Sequence, residues 1–315
     1  MTDITNAKEF YDDRYVKGYM EKWPVDKKKR VYEVIKSLNL PDKGEALDFG
    51  CGNGVFTKVL KQALPNWEVY GCDISEVAIK NASIKNPEYI FFVNDDAVLK
   101  DKKFDFIFSH HVLEHILDIE NTISQFVDKT KSNSSMLHIL PCGNKYSFEW
   151  QICQLNKNGI NQKRGNTLFF EYKGHIRRMT TDSCALLFRN FGFVLKQSFH
   201  SNQYYGAINW ITRSNPILII KIFNPFGGRN LKAKLKLTIL LFKFILISAS
   251  RLPYVVYKRF DSFILKGILF VPSYVVSIFV DKYIIYKSEQ EWQKFKTESN
   301  GSEMYLHFIK QTQEL

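Results

Sequence analysis

The chain has 315 residues, 45% hydrophobic and 24% charged, an ordinary globular composition with enough length to bury a full core. Its five cysteines form an odd set without a C-x-x-C pair, which disfavours a disulfide framework or a zinc knuckle. The formal net charge is +12, and residues 213–287 carry almost all of it, with 13 Lys/Arg against Asp261 and Asp281, while the remainder is nearly balanced at 31 basic and 30 acidic residues.

The start, MTDITNAKEF, lacks the basic-then-apolar pattern of a secretory signal. Together with the cysteine usage this sets the expectation of a reducing, cytoplasmic setting. Short apolar or β-branched runs then alternate with helical spacing. Strands are expected at 45–49, 68–72, 89–93, 104–109 and 136–140, and helices at 55–64, 75–83 and 118–129. Ser75 is placed to cap the second of these helices, because its hydroxyl can accept a free backbone N–H. A helix over 180–190, capped by Thr181 or Asp182, precedes Gly192 and a strand at 193–199, and residues 302–310 alternate like a half-exposed edge strand. Alternating strands and helices predict an α/β class, a doubly wound, mostly parallel seven-stranded sheet. The basic, apolar segment falls before the last strand, as a helical insertion.

The densest glycine run, LDFGCGNG over 47–54, joins the first strand to the first helix of this series. Such a turn lets backbone approach a ligand and offers the free N–H groups of a helix start. The spacing is G-x-G-x-G, with Val55 where a dinucleotide loop has its third glycine, so NAD is disfavoured. Asp73 ends the second strand, where a carboxylate can accept both hydroxyls of a ribose.

These motifs, with NDDA after the third strand and FDFIFSHHVLEHI at the fourth, resemble in order and spacing the class I S-adenosylmethionine-dependent methyltransferases. The later GHIRRMT and GFVLKQ are similar to the ubiquinone-pathway and glycan branch. The resemblance implies a Rossmann-like core over 45–212 and 300–315, with N-terminal lid helices over 1–44 and an insertion over 213–290. It implies S-adenosylmethionine as cofactor, with Asp48, Gly50, Gly52 and Gly54 around its methionine end, and Asp73 with adjacent Ile74 at the ribose. Asp96 and Ala97 would face the adenine, with Asp95 the second choice, and Ser109 and His110 the sulfonium side. Tyr11 or Tyr15 of FYDDRYVKGYMEKW would reach the cofactor from the lid.

An oxygen nucleophile needs a base, and histidine suits that near neutral pH. His175, in GHIRRMT, is the first candidate and His111 the second. A loop-bracing role for His175 and a buried structural role for His115 are the plain alternatives. Some relatives hold a divalent metal through an E-x-x-E-H run and a distant histidine. Here the run begins with His111 instead of Glu, continues to Glu114 and His115, and has His175 as the distant candidate, so a metal is left open.

In the insertion, Arg229, Lys232, Lys236 and Lys243 share one helical face, with Lys234 on the other side, and Lys258, Arg259, Ser262 and Lys266 form a second stripe. Asn224–Gly228 reads as a turn, and Pro253 and Pro272 as punctuation between helices. Residues 262–280 are apolar but for one lysine and a proline, so a span is disfavoured against helices lying in the membrane interface. The expected activity is therefore methyl transfer, O-methylation with a histidine base, to a membrane-associated acceptor (a lipid-linked glycan, a quinone or a lipid). The protein would be cytoplasmic and peripheral on the inner face of the membrane. A soluble enzyme whose insertion caps a small-molecule substrate or forms a dimer interface is the alternative. An NAD-dependent oxidoreductase and a noncatalytic membrane-binding module follow. Nucleic acid is disfavoured as a partner.

Overall fold

The computed structural model describes residues 7–21, 23–94, 99, 101–157, 159, 175–214, 216–259 and 271–311. Seven strands form one sheet: β1 Glu45–Phe49, β2 Glu68–Asp73, β3 Ile90–Val93, β4 Phe104–His110, β5 Thr130–Pro141, β6 Phe193–Ser201 and β7 Glu303–Lys310. The order is β3-β2-β1-β4-β5-β7-β6, and the pairs β1–β2, β1–β4, β2–β3 and β4–β5 are parallel. Parallel strands need crossovers. Helices α3 Val55–Ala63, α4 Glu76–Lys85 and α5 Ile119–Asp128 supply them. Phe106, Ile107 and Phe108 of central β4 are all fully buried, as expected of a strand covered on both faces.

Strand order reverses between β1 and β4. In an open α/β sheet the crevice outside the carboxyl ends of two such strands is the natural ligand site. Here it receives the glycine turn after β1, His110 at the end of β4 and His111 just after it.

β7 departs from the expected half-exposed edge strand. It lies between β5 and β6, and its first six residues are buried. Lys310 Nζ reaches Thr130 at one end of β5 while the Cys142 N–H donates to Ser302 O at the other, so β7 runs antiparallel to β5. The Gln311 N–H donates to Gly192 O, and Gly301 abuts Ser201, so β7 is antiparallel to β6 too. Two of its polar residues find partners: Tyr305 Oη accepts from Lys27 Nζ at 3.1 Å, and Glu303 accepts from Ser201 Oγ at 2.7 Å.

The chain forms two compact units. One comprises Met1–Pro141, Tyr172–Ser198 and Tyr305–Leu315, the other Cys142–Glu171 and Phe199–Met304. The first carries β1 to β5 and, N-terminally, α1 Ala7–Val16 and α2 Val25–Ser37. Its α4 is capped by Ser75, which accepts the Ala78 N–H. Helix α7 Thr181–Arg189 is capped by Thr180 in a reciprocal box with Ser183, not by Thr181 or Asp182. The cap lies one residue earlier because Thr180 still has extended backbone, which a cap requires.

The second unit is helical: α6 Phe148–Leu155, α8 Tyr205–Ile211, α9 Pro216–Ile222, α10 Leu231–Arg259 and α11 Val271–Phe295. Phe148, Ile208, Phe223, Leu237, Phe244 and Ile284 meet in its core. The expected turn at 224–228 is a short 3-10 segment, Pro225–Gly227, with Asn224 as its cap. Pro253 does not end a helix but sits inside α10. Its ring removes the N–H partner of the Ala249 carbonyl, and Ala249 is exposed, so water can satisfy that group. Pro272 lies in the first turn of α11, where its missing N–H is harmless. No described helix is long and apolar enough to cross a membrane.

Candidate active site

The turn after β1 folds tightly because its glycines take left-handed backbone. Gly50 has φ +74 and Gly52 φ +53, a region costly for other L-residues. Space is also short: a Cβ on Gly50 would lie 2.4 Å from Val112, and one on Gly52 2.7 Å from Tyr15 Oη. The N–H groups of Gly50 and Cys51 both donate to Cys72 O, at 2.8 and 2.9 Å, fixing the turn to the end of β2.

Asp73 closes β2 and is buried. Its Oδ2 accepts the Gly52 N–H at 2.9 Å and its Oδ1 the Ser75 N–H at 3.0 Å. Each carboxylate oxygen has two acceptor sites, so one on each remains for a pair of hydroxyls. Burial pushes this carboxyl up to about 6, although the backbone donors oppose the shift. Asp48 is buried beneath the turn and accepts from Thr57 Oγ1 at 2.6 Å. Burial, against the Thr57 bond, pushes it up to about 7.

A cleft of about 330 Å³ opens at this point. Gly50, Gly52, Asp73, Ile74, His110 and His111 line it, and α1 contributes Tyr11 and Tyr15 from above. Helix α1 is held there by Asp12, which accepts from Ser75 Oγ and from the Val77 N–H, and by the Lys8–Glu76 ion pair. Asp48 and Gly54 are outside the lining, as supports of the turn; Gly54 is the N-cap of α3. Ser109 does not face the cleft. Its Oγ is 2.7 Å from His138 Nδ1 in the core, because successive strand residues point to opposite faces and His110 takes the cleft side. Asp95, Asp96 and Ala97 lie outside the described residues. Asn94, just before them, lines the cleft with a buried Oδ1 that no described group satisfies, an acceptor suited to an amino group. Neither Asn94 nor the aromatic wall was singled out from sequence. In that wall His110 stacks on Phe56 at 4.0 Å and meets Trp23 edge-on at 4.7 Å. Asn94 had a signal, its position inside NDDA, and Trp23 had one as the last residue of the lid stretch FYDDRYVKGYMEKW, whereas Phe56 had none beyond the general abundance of aromatics.

His111, His115 and His175 form one cluster around Glu114. His111 has φ +56, unusual outside glycine, and its N–H donates to Ile139 O at 2.7 Å. Its Nδ1 lies 3.0 Å from Glu114 Oε1. Glu114 and His115 belong to the 3-10 turn Leu113–His115, and the Ile176 N–H donates to Glu114 O, drawing His175 close. The His115 and His175 rings meet edge-on at 4.7 Å. Burial raises Glu114, but the His111 hydrogen bond and the three neighbouring imidazoles outweigh it and hold the carboxyl below its usual range. Burial presses His175 down to about 4 despite Glu114, so it is neutral at physiological pH. His111 lines the cleft; His175 stands behind His115 and does not. Donor atoms of Glu114, His115 and His175 lie within 4.8 Å of one another, a nitrogen–nitrogen–oxygen set of the type a borderline transition metal takes.

Residues 25–198 match the family described as "Methyltransferase domain". A carboxy-S-adenosyl-L-methionine synthase of Campylobacter hominis is 30% identical over 144 residues, 43% of this chain and 60% of that protein. A trans-aconitate 2-methyltransferase of Variovorax paradoxus is 30% identical over 93 residues, 29% of this chain and 36% of that one. The chain thus spans less than two thirds of the length of these curated relatives. Among solved structures, a coclaurine N-methyltransferase bound to N-methylheliamine and SAH is 11% identical, with TM-score 0.46, covering 90% of this chain and 72% of that chain.

Proposed function

Because the chain belongs to the class I S-adenosylmethionine-dependent methyltransferases, we propose that the cleft transfers a methyl group to an acceptor oxygen, with a histidine taking the proton. The residues present fit that cofactor. The glycine turn gives close backbone approach, Asp73 keeps two acceptor sites for ribose hydroxyls, and Asn94 offers an oxygen to the adenine end. When bound, the cofactor would supply an activated methyl on a sulfonium, and the methyl–sulfur bonding pair would stay with sulfur. What remains for the protein is placement of the acceptor and acceptance of its proton.

The observation that carries the histidine role is the His111–Glu114 bond. A proton on Nδ1, held by a buried carboxylate, leaves the lone pair on Nε2, and the resulting imidazolium gains a counter-charge. His111 is thus the better placed base, with His175 set behind His115. Tyr11 and Tyr15 cover the cleft and exclude water, which would compete as acceptor.

The acceptor we favour is membrane-associated, supported by the basic and apolar character of 213–287. The enzyme would then be peripheral on the cytoplasmic face. A soluble small-molecule acceptor is the second reading, favoured by the name of the Variovorax relative. The test is transfer of labelled methyl from S-adenosylmethionine to membrane lipid extract and, separately, to the aqueous small-molecule pool. Label in the lipid phase, lost in a His111→Asn variant, supports the reading; label only in the aqueous pool selects the second.

A further inference from the structure

The helical unit turns the wrong residues outward. At about 100° per residue, Leu231, Leu235, Ile239, Phe242 and Leu246 of α10 fall within about 80° of one another, and all five are exposed, Phe242 at 62%. The buried residues Ala233, Leu237, Phe244 and Arg251 lie on the opposite side. Helix α11 repeats the arrangement. Val276, Phe279, Tyr283 and Tyr286 form an exposed stripe, with Phe279 at 67%, and Ser277, Asp281, Ile284 and Ser288 form the buried one. The sequence alone gave α10 one basic and one apolar face; the structure divides the apolar residues into two opposite stripes.

The two helices run antiparallel. Arg251 pairs with Asp281, while Lys243 and Glu291 both reach Tyr204. Both turn their buried stripes into one core, so both exposed stripes face away from it. Lysines border each stripe. Lys232, Lys236 and Lys243 flank that of α10 on one side and Lys234 on the other, and Lys282 and Lys287 bracket that of α11. Lys243 bonds Tyr204 Oη and Lys287 lies over the Tyr205 ring. Lys232, Lys234, Lys236 and Lys282 are exposed, with no ion pair among the described residues. The one described carboxylate within 213–287, Asp281, is buried against Arg251. The side chains of Lys258 and Arg259, and all of Ser262 and Lys266, lie outside what the structure describes.

We propose that the exposed stripes of α10 and α11, with their bordering lysines, are a docking face for an anionic lipid surface. Charge complementarity selects this occupant. Hydrocarbon next to a phosphate layer matches an apolar stripe edged by lysines, whose stems lie along the stripe while their ammonium groups reach the phosphates. A second copy of this face would instead bring unpaired lysines together. Such helices lie in the interface rather than span it. The proposal rests on the membrane-acceptor reading for its purpose, not for its geometry.

The experiment is flotation of the full chain with phosphatidylcholine vesicles, with and without phosphatidylglycerol. Three proteins are compared: wild type, Phe242→Ser/Phe279→Ser and Lys232→Gln/Lys236→Gln. All four positions are exposed, so folding should survive, and circular dichroism with S-adenosylhomocysteine titration verifies this. The expected result is flotation of wild type only with anionic vesicles, weakened by salt, and a loss of about tenfold or more in partitioning for each double variant. Wild type that stays unbound, or variants that float equally well, overturns the proposal. So does sedimentation showing a dimer that the Phe variant splits, since a second copy would then cover the face. Flotation is run without S-adenosylmethionine and reads binding alone, so failure here leaves methyl transfer untouched, and failed cofactor binding leaves docking untouched.

Discussion

Nδ1 of His111 lies 3.0 Å from Oε1 of Glu114, a carboxylate only 2% exposed. The two sit three residues apart in the turn that leaves β4, so the chain that ends the strand also orients its histidine. If His111 accepts the acceptor's proton, His111→Asn should lower kcat by about 10²–10⁴-fold while cofactor affinity stays within a small factor. Asparagine tolerates the φ of +56, so the variant should fold. Single-turnover methyl transfer beside S-adenosylhomocysteine calorimetry reads both quantities. An unchanged kcat would remove His111 from the chemistry and return His175 to first place.

Glu114 should also leave a mark on stability. Its folded-state carboxyl is held below the usual range, so the folded protein binds its proton less readily than the unfolded chain. That contribution is present above the ordinary carboxylate pKa and is lost as pH falls through the lower folded value. Wild type should therefore exceed Glu114→Gln in thermal stability at neutral pH, and the gap should narrow as the solution is acidified below about 4. A constant gap would mean that the variant loses packing, not charge.

Asp73 predicts a pH dependence of cofactor binding, and a stability contribution opposite in sign to that of Glu114. Burial pushes its carboxyl up to about 6, and an ionised carboxylate accepts hydroxyl donors better than a protonated one. Cofactor affinity should rise from pH 5 to pH 7, with proton release on binding. Asp73→Asn should weaken binding by about 10- to 100-fold at neutral pH, the worth of one or two hydrogen bonds to a charge, and flatten the profile. In the free protein the raised value means that Asp73 favours folding at low pH, a contribution lost as pH climbs from about 4 to about 6. Calorimetry at three pH values checks the binding, and melting curves the stability.

The first strands were readable because they are compact apolar runs, β1 closed by Gly50 and β2 by Asp73, whereas β5 starts six residues before its apolar run, in the polar stretch Thr130–Ser135. Strands β1 and β4 and helix α3 follow the sequence pattern to within a residue. β7 misled because alternation reports which residues are polar, not whether Lys27 or Ser201 arrives to satisfy them. Ser109 misled for a related reason: a motif names neighbours, but the pleat sends only one of Ser109 and His110 to the cleft. In the Glu114 cluster, local spacing joins His111, Glu114 and His115, whereas His175 was named only through the family resemblance; what brings it there is the bond from the Ile176 N–H to Glu114 O, which spacing does not encode.

In the helical unit, the Arg251–Asp281 pair should be a stability determinant. Arg251 is 1% exposed and donates to Asp281, the Asn209 side chain and Thr212 Oγ1, so removing one partner leaves a buried charge uncompensated. Asp281→Ala should destabilise by about 3–5 kcal/mol; the exposed Ile239→Ser should change stability by less than about 0.5 kcal/mol. Replacing both members together, Arg251→Met with Asp281→Leu, should recover much of the loss. Denaturant titration of the three variants measures this, and a double change as costly as the single one would show that the pair is worth more than its burial costs.

The contact between Gly52 and Tyr15 gives the most separable test of the lid. A Cβ at position 52 meets Tyr15 Oη at 2.7 Å but the ring carbon behind it only at 3.4 Å. Gly52→Ala must therefore displace the tyrosine, and with it α1, besides bearing the strain of a φ of +53, which costs about 1 kcal/mol. Tyr15→Phe removes the oxygen and the clash but leaves the strain. If α1 closes over bound cofactor, Gly52→Ala should weaken S-adenosylhomocysteine by tenfold or more, about 1.4 kcal/mol. Tyr15→Phe alone should weaken it less, and the double variant should bind better than Gly52→Ala. Calorimetric titration of the four proteins gives the coupling directly. A double variant that binds no better than Gly52→Ala would place the whole cost in the glycine's backbone and leave Tyr15 as a bystander on the cleft wall.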